Sequence, residues 1–363
     1  MAALPRVSLL MPVHDRAHLL DRVLGSLADT TTYDDVELVA VDDGSTDGSR
    51  AILHRWAAEG RIPGMRVIEG TERGAIASLN TALGAATGEL CVQLDDDVTL
   101  ETRGWVERMV ELMTFDDAVG VVTAKVVLDS GYLHCCGVNV VSPWGWHERG
   151  TLPAEPIGRR RWLNRTVERR REGEGGDVED RVAEVDSGIG CCMMYRRDDA
   201  LRVGGYDREW APVWFDDVDL CLKIRELGRK VFYTPEVRVV HHFGARQTPP
   251  APGSRYAPRN VARGIRRRLH RRAPHVVTRA VEARLGVDLE GNFTRAQCRL
   301  LRHHHRYWRE KWGWDARNPD MAEVESRFGG TEICWATDPE RRAAGERIAA
   351  AFEGRRAGGA VGA

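Results

Sequence analysis

The sequence predicts an α/β fold with a mainly parallel central sheet flanked by helices. Over residues 7–97, short apolar runs alternate with segments whose apolar residues recur at helical spacing. Two of those runs, Val36–Val41 and Leu90–Leu94, end in clustered acids, Asp42-Asp43 and Asp95-Asp96-Asp97. That pattern puts carboxylates at the carboxyl edge of the sheet, where open α/β sheets bind ligands.

Val7–Met11 reads as the first strand and ends in the turn Pro12-Val13-His14-Asp15. Proline is tolerated there because the ladder needs no further donor. Leu19, Leu20, Val23, Leu24 and Leu27 mark a helix behind it. Val36–Val41, the acidic Gly-containing turn and a helix with Ile52, Leu53 and Trp56 form a second β-α unit. Met65–Ile68 is a third strand, and Arg73-Gly74 precedes a helix carrying Ile76, Leu79 and Leu83. Leu90–Leu94 then leads into the three aspartates. A helix is expected over residues 101–114, followed by strands at Val119–Leu128 and Tyr132–Val141.

Residues 142–181 are rich in Arg, Glu and Gly and read as an insertion, a solvated loop or mobile flap. Apolar character returns at Val182–Tyr195, and Gly204-Gly205 stops a short helix at Asp198–Val203. Leu220, Ile224 and Leu227 share one face of a helix whose first turn holds Asp216, Asp217 and Asp219. Strands at Lys230–Thr234 and Val237–Val240 are expected on either side of a turn at Pro235, the second running into His241-His242. Beyond residue 245 come a Pro-rich linker, the basic stretch Arg255–Arg284 and a Gly/Ala-rich tail from Ala357, expected to be disordered.

With 363 residues the chain can bury a core without disulfide staples. A net charge of −1 and a hydrophobic fraction of 42% argue against nucleic-acid binding and global disorder. No apolar run approaches a membrane span, and Met1–Pro5 lacks a signal-peptide pattern, so a cytoplasmic protein is expected. The eight cysteines make no CxxC pair and read as reduced, small core residues. Asp95, Asp96 and Asp97 are costly side by side unless a cation neutralises them. Hard oxygen donors of this kind suit Mg²⁺ or Mn²⁺ held together with substrate phosphates. The plain alternative is a solvated acidic turn.

Five motifs then occur in order: Met11-Pro12-Val13-His14-Asp15, Val41-Asp42-Asp43-Gly44-Ser45, Gly88-Glu89 with Leu94–Asp97, Gly204-Gly205-Tyr206-Asp207, and Phe215–Leu220. In order and spacing the chain resembles family 2 glycosyltransferases from about Val7 to Gly244. The resemblance implies the GT-A fold and an inverting transfer of a sugar from a nucleotide-diphosphate donor. It implies a catalytic domain at 1–245, with a nucleotide-binding half at 1–100 and an acceptor half at 101–245. A basic, mostly helical region would follow at 246–363.

By the same resemblance Asp43 binds the base, Pro12 and His14 line its pocket with Asp15 beside it, Asp95 lies near the ribose and metal, and Asp96 belongs to the donor nucleotide site. Asp97 and His241 hold Mn²⁺ or Mg²⁺, and Asp217 or its neighbour Asp216 is the base. The family commonly has Tyr-Asn at His14-Asp15 and Glu-Asp at Asp216-Asp217, which bears on base selectivity and on the choice between the two acids. The helix start is expected to keep Asp217 ionised. His242 would point away from His241 on a strand. Arg73 reads either as a donor-phosphate contact or as a solvated helix-start residue. Trp210 and Trp214 read either as acceptor platforms or as core.

UDP- and dTDP-sugars fit Asp43, with a GDP-sugar left open. The acceptor is a carbohydrate, lipid-linked glycan, peptide or small molecule. Arg255–Arg284 reads as a solvated helical face or a peripheral contact with an anionic membrane; no nucleic acid is expected. Two other functions compete. A sugar nucleotidyltransferase would need a Gly-rich loop with Arg and Lys after the first strand, where this chain has Pro12–Asp15. A non-catalytic scaffold on an anionic surface would have no use for Asp43, Asp97, Asp217 and His241.

Overall fold

The computed structural model describes residues 4–70, 74–141, 147–149, 170–242, 295–316 and 319–359. The chain divides into two compact units, one of residues 1–151, 169–245 and 316–363, the other of 152–168 and 246–315.

The first unit opens with β1 (Val7–Val13), α1 (Ala17–Thr30), β2 (Val36–Asp42), α2 (Ser49–Glu59), β3 (Arg66–Glu69), α3 (Ala75–Ala85) and β4 (Leu90–Leu94). β1 pairs in parallel with β2 and β4, and β2 with β3. Every residue of β1, β2 and β4 is buried, because helices cover both faces, and the strands therefore read as unbroken apolar runs. The buried face of α1 is Leu19, Leu20, Val23, Leu24 and Leu27, as the spacing predicts. The polar residues of these strands are Ser8, Glu37, Asp42 and Gln93, and Ser8 lies beside Glu37. Ser8 Oγ donates to Glu37 Oε1 at 2.6 Å, and Thr87 and Arg66 donate to the same carboxylate.

The unit continues with β5 (Val98–Leu100), α4 (Trp105–Met113), β6 (Val119–Leu128), β7 (Leu133–Cys135), β8 (Val138–Asn139), β9 (His147–Glu148), α5 (Asp177–Asp180), β10 (Ala183–Val185), β11 (Cys192–Arg196), α6 (Arg197–Arg202), α7 (Asp216–Glu226) and β12 (Lys230–His241). The sheet order is β10-β12-β6-β11-β4-β1-β2-β3, with β5 on β12 and β7 on β6. The parallel expectation holds for β1–β4 and for β6 with β12. The remaining pairings make the sheet mixed. β11 lies antiparallel between β4 and β6, having entered the sheet without a crossover helix.

Several local expectations are corrected. Tyr132–Val141 is not one strand: it breaks at Gly137 (φ +90°), where a Cβ would come within 2.7 Å of Val185. Lys230–His241 is one strand, and Pro235 sits within a register shift between Thr234 and Arg238, where no ladder donor is required. The helix expected from 101 begins at Trp105. The described end of the insertion, residues 170–181, packs on the sheet. Glu172 pairs with Arg238, and buried Glu179 accepts from the N–H groups of Gly173 and Gly175.

The largest correction concerns residues 316–363. They share the sheet's unit and contribute α9 (Met321–Phe328) and α10 (Pro339–Gly359). Arg225 of α7 is fully buried, and its guanidinium donates to Glu332 O at 2.8 Å, Glu184 Oε1 at 2.8 Å and Val185 O at 2.6 Å. Lys230 Nζ lies 2.6 Å from Glu332 Oε2. Buried Asp186 accepts from Val140 and Val141 N–H at 2.7 and 2.8 Å and from the Trp335 indole. Buried charges need partners, and residues 331–335 supply them. The tail expected to be disordered from Ala357 is helical to Gly359.

In the second unit the described residues form α8 (Arg295–Trp312), where Trp308 and Trp312 cluster with Trp314 at centroid separations of 5.8–6.1 Å. The linker at 249–253, Arg255–Arg284 and Arg73 lie outside the described residues. All eight cysteines are free and buried. Among the described residues no helix is long and apolar enough to cross a membrane.

Candidate active site

Three parallel strand ends build one edge of the site. After β1, the His14 ring nitrogen Nδ1 is 3.0 Å from Asp43 O, and Asp43 N–H donates to Val13 O at 2.8 Å. The buried Asp43 carboxylate accepts the Gly74 N–H, 2.9 Å from each oxygen. Gly74 has φ +113°, a conformation that favours glycine. Pro12 lies within β1, opposite Val41. Asp15 has φ +49° and accepts from the N–H and Oγ1 of Thr46, so its carboxylate stitches the β1 and β2 turns together.

At the end of β4, Asp96 accepts the His14 N–H at 3.0 Å and Arg16 Nε at 2.8 Å. Asp97 Oδ2 accepts Arg16 Nη2 at 3.0 Å, and its Oδ1 is 3.1 Å from His241 Nε2. The β5–β12 pairing sets His241 opposite Val98 and so brings it to Asp97. His242 points elsewhere, its Nε2 3.1 Å from Thr99 Oγ1, as strand alternation predicts. The His134 ring packs on His241 with centroids 5.2 Å apart.

Asp95, Asp97 and His241 present one donor atom each, all within 4.8 Å of one another. Two carboxylates and an imidazole form a donor set that suits Mn²⁺ or Mg²⁺. Burial, then the neighbouring Asp97 charge, pushes the Asp95 carboxyl up to about 7. Burial also acts to raise Asp97, yet the His241 hydrogen bond and the Arg16 charge hold it below the usual carboxylate range. Burial acts to lower His241, and its bond to Asp97 outweighs this and raises it. A divalent ion would relieve the crowding of charge that these shifts express.

The second acidic group opens α7. Trp214 and Phe215 have φ +80° and +71°, turning the chain sharply into the helix. Asp217 Oδ2 accepts Gly190 N–H at 2.8 Å, and its Oδ1 accepts Val218 N–H at 2.7 Å. Burial outweighs those backbone donors and raises the Asp217 pKa. Burial, then Asp217, raises Asp216 well above the usual range. Asp216 is buried, whereas Asp217 is partly exposed. Trp210 is fully buried and stacked on Phe215 at 5.2 Å and 15°, so it packs the core and presents no face to an acceptor.

The two acidic groups are neighbours. Asp95 N–H donates to Cys191 O at 3.4 Å, and the preceding residue, Gly190, holds Asp217. Asp217 contributes to the rise of Asp95, and Asp95 to that of Asp216. Sequence reasoning missed Arg16 and Gly190. Arg16 was findable, since it follows His14-Asp15 at a strand end that parallel pairing sets beside the Asp95–Asp97 turn.

The class this defines is the GT-A fold, and solved structures of that fold superpose on it. A mannosyltransferase from Pyrobaculum calidifontis, solved with GDP-Man and Mn²⁺, matches with TM-score 0.50 and 22% identity, covering 99% of this chain and 81% of its own. GalNAc-T7, solved with UDP, GalNAc and Mn²⁺, matches with TM-score 0.51 and 17% identity over 73% of this chain and 48% of its own. Residues 8–135 match the sequence model of glycosyl transferase family 2. An O-antigen biosynthesis protein of Myxococcus xanthus is 27% identical over 247 residues, 66% of this chain and 18% of that protein. The chain spans a quarter or less of the length of the curated relatives it matches over about two thirds of its own.

Proposed function

We propose that the chain transfers a sugar, with inversion, from a nucleotide-diphosphate sugar to an acceptor hydroxyl, using Mn²⁺ or Mg²⁺ held by Asp95, Asp97 and His241. One observation carries the reading: adjacent residues Cys191 and Gly190 tie Asp95 and Asp217 into a single site. A divalent ion bound there offsets the charge of the departing diphosphate. Asp217 takes the acceptor proton. Its raised pKa makes it a stronger base than an ordinary aspartate, and its partial exposure favours it over buried Asp216. Asp43 receives a base N–H, with Gly74 fixing its carboxylate and Pro12 and His14 lining the pocket. Asp96 supports the site through the His14 backbone and Arg16, and Trp214 faces the acceptor.

Asp43 favours a UDP- or dTDP-sugar, while GDP-Man in the Pyrobaculum neighbour keeps GDP-sugars in the test panel. The likeness to an O-antigen biosynthesis protein favours a saccharide hydroxyl as acceptor.

The test is nucleoside diphosphate release from UDP-, dTDP- and GDP-sugars in the presence of Mn²⁺. One donor is expected to turn over. Asp217→Asn should lower acceptor-dependent turnover about 10²–10⁴-fold with nucleotide affinity retained. An active Asp217→Asn would move the base role to Asp216, and no release from any donor would overturn the reading.

A further inference from the structure

We infer that Arg16 is a positioning residue of the cation cluster: a fixed counter-charge that aims Asp97 and limits how tightly a divalent ion is held. The inference rests on the cation reading of Asp95, Asp97 and His241.

Arg16 stands just before α1 on a pinned stretch of backbone. Its N–H donates to Ser49 Oγ at 2.8 Å, and the next N–H, of Ala17, donates to Asp47 Oδ2 at 2.9 Å. From that base the guanidinium forks, Nε to Asp96 Oδ1 at 2.8 Å and Nη2 to Asp97 Oδ2 at 3.0 Å. The other Asp97 oxygen faces His241 Nε2 at 3.1 Å. Asp97 is thus gripped from both sides, and only Oδ1 turns toward the cluster. The other Asp96 oxygen accepts the His14 N–H.

A guanidinium does not lose its proton in a protein, so this positive charge is present at every working pH. Three carboxylates and one guanidinium meet an arriving cation with less negative charge than the aspartates alone. A dication a few ångströms from a fixed monocation is repelled, and the repulsion weakens its binding.

The test is direct Mn²⁺ titration, by electron paramagnetic resonance and calorimetry at pH 8, of the full chain without nucleotide. Wild type, Arg16→Met, Arg16→Gln and Arg16→Lys are compared after thermal melts establish which of them are folded. The neutral variants should hold Mn²⁺ about tenfold more tightly than wild type. Arg16→Lys, which keeps the charge and loses the fork, should stay within roughly threefold of wild type. The inference falls if neither folded neutral variant gains affinity, or if Arg16→Lys gains as much; Mn²⁺ uptake by wild type would then leave the cation reading standing. No uptake by any of the four proteins overturns both.

Discussion

A methyl group at Gly190 would lie 2.3 Å from Gln93 Nε2 and 3.4 Å from Asp217 Oδ2. Gln93 has little room to move: its Oε1 accepts the Tyr206 hydroxyl at 2.8 Å, and that hydroxyl is 2.9 Å from Tyr195 Oη. Tyr206 is in turn held through its N–H and C=O by Asn80. Gly190→Ala is therefore expected to cost about 1–3 kcal/mol of stability. By shifting the N–H that orients Asp217, it should also lower kcat at least about tenfold while donor KM changes little. Urea unfolding and steady-state kinetics check the two parts. The acids themselves were legible in the sequence, because clustered carboxylates after an apolar run announce a strand end. Gly190 was not, and Arg16 was legible only once the parallel pairing of β1 with β4 is granted, since both roles arise through strand pairings. Arg16 and Asp97, for example, are 81 positions apart, and local spacing carries no record of such contacts.

At the scale of elements, α7 depends on residues that follow it by more than a hundred positions. Arg225 and Lys230 meet Glu332, and Trp335 donates to Asp186, which braces the backbone at Val140 and Val141. Trp335→Phe leaves the buried Asp186 carboxylate short of a donor and should cost about 1–3 kcal/mol in urea unfolding. Deleting residues 331–363 takes from Lys230 its nearest carboxylate and from Arg225 one of its acceptors, and should cost about 3–5 kcal/mol, read as a lower Tm or loss of folded protein. The strands and helices of the first hundred residues were readable because each carries its own periodicity. The return of residues 316–363 to the sheet was hidden. Composition marks the departure near residue 245, but α9 and α10 look like ordinary surface helices, and buried charges on α7 and β12 are what draw the segment back.

For the whole molecule, acid and metal act on stability in separable ways. Burial works to raise the Glu37 carboxyl, but hydrogen bonds from Ser8, Thr87 and Arg66 bring it down to about 2. A depressed folded pKa stabilises above the ordinary glutamate range, and the contribution is lost as pH falls from about 4.5 toward 2. Thermal melts across pH 2–7 should show this loss in wild type. Glu37→Gln should be less stable at neutral pH and show a shallower acid dependence. Mn²⁺ at about 100 times its Kd should stabilise the wild-type fold by about 2.7 kcal/mol. Asp97→Ala should show no such rise in Tm.

Because Glu332 supplies the carboxylate nearest Lys230 and a carbonyl acceptor for Arg225, synthesis of the chain cannot finish the packing around α7 in sequence order. When the ribosome has made β12, Glu184 can already face both cations, but about a hundred further residues must emerge before Glu332 joins it. The nascent chain should thus stay susceptible to protease around α7 until translation has passed Trp335, whereas β1–β4, which pair among themselves, can form early.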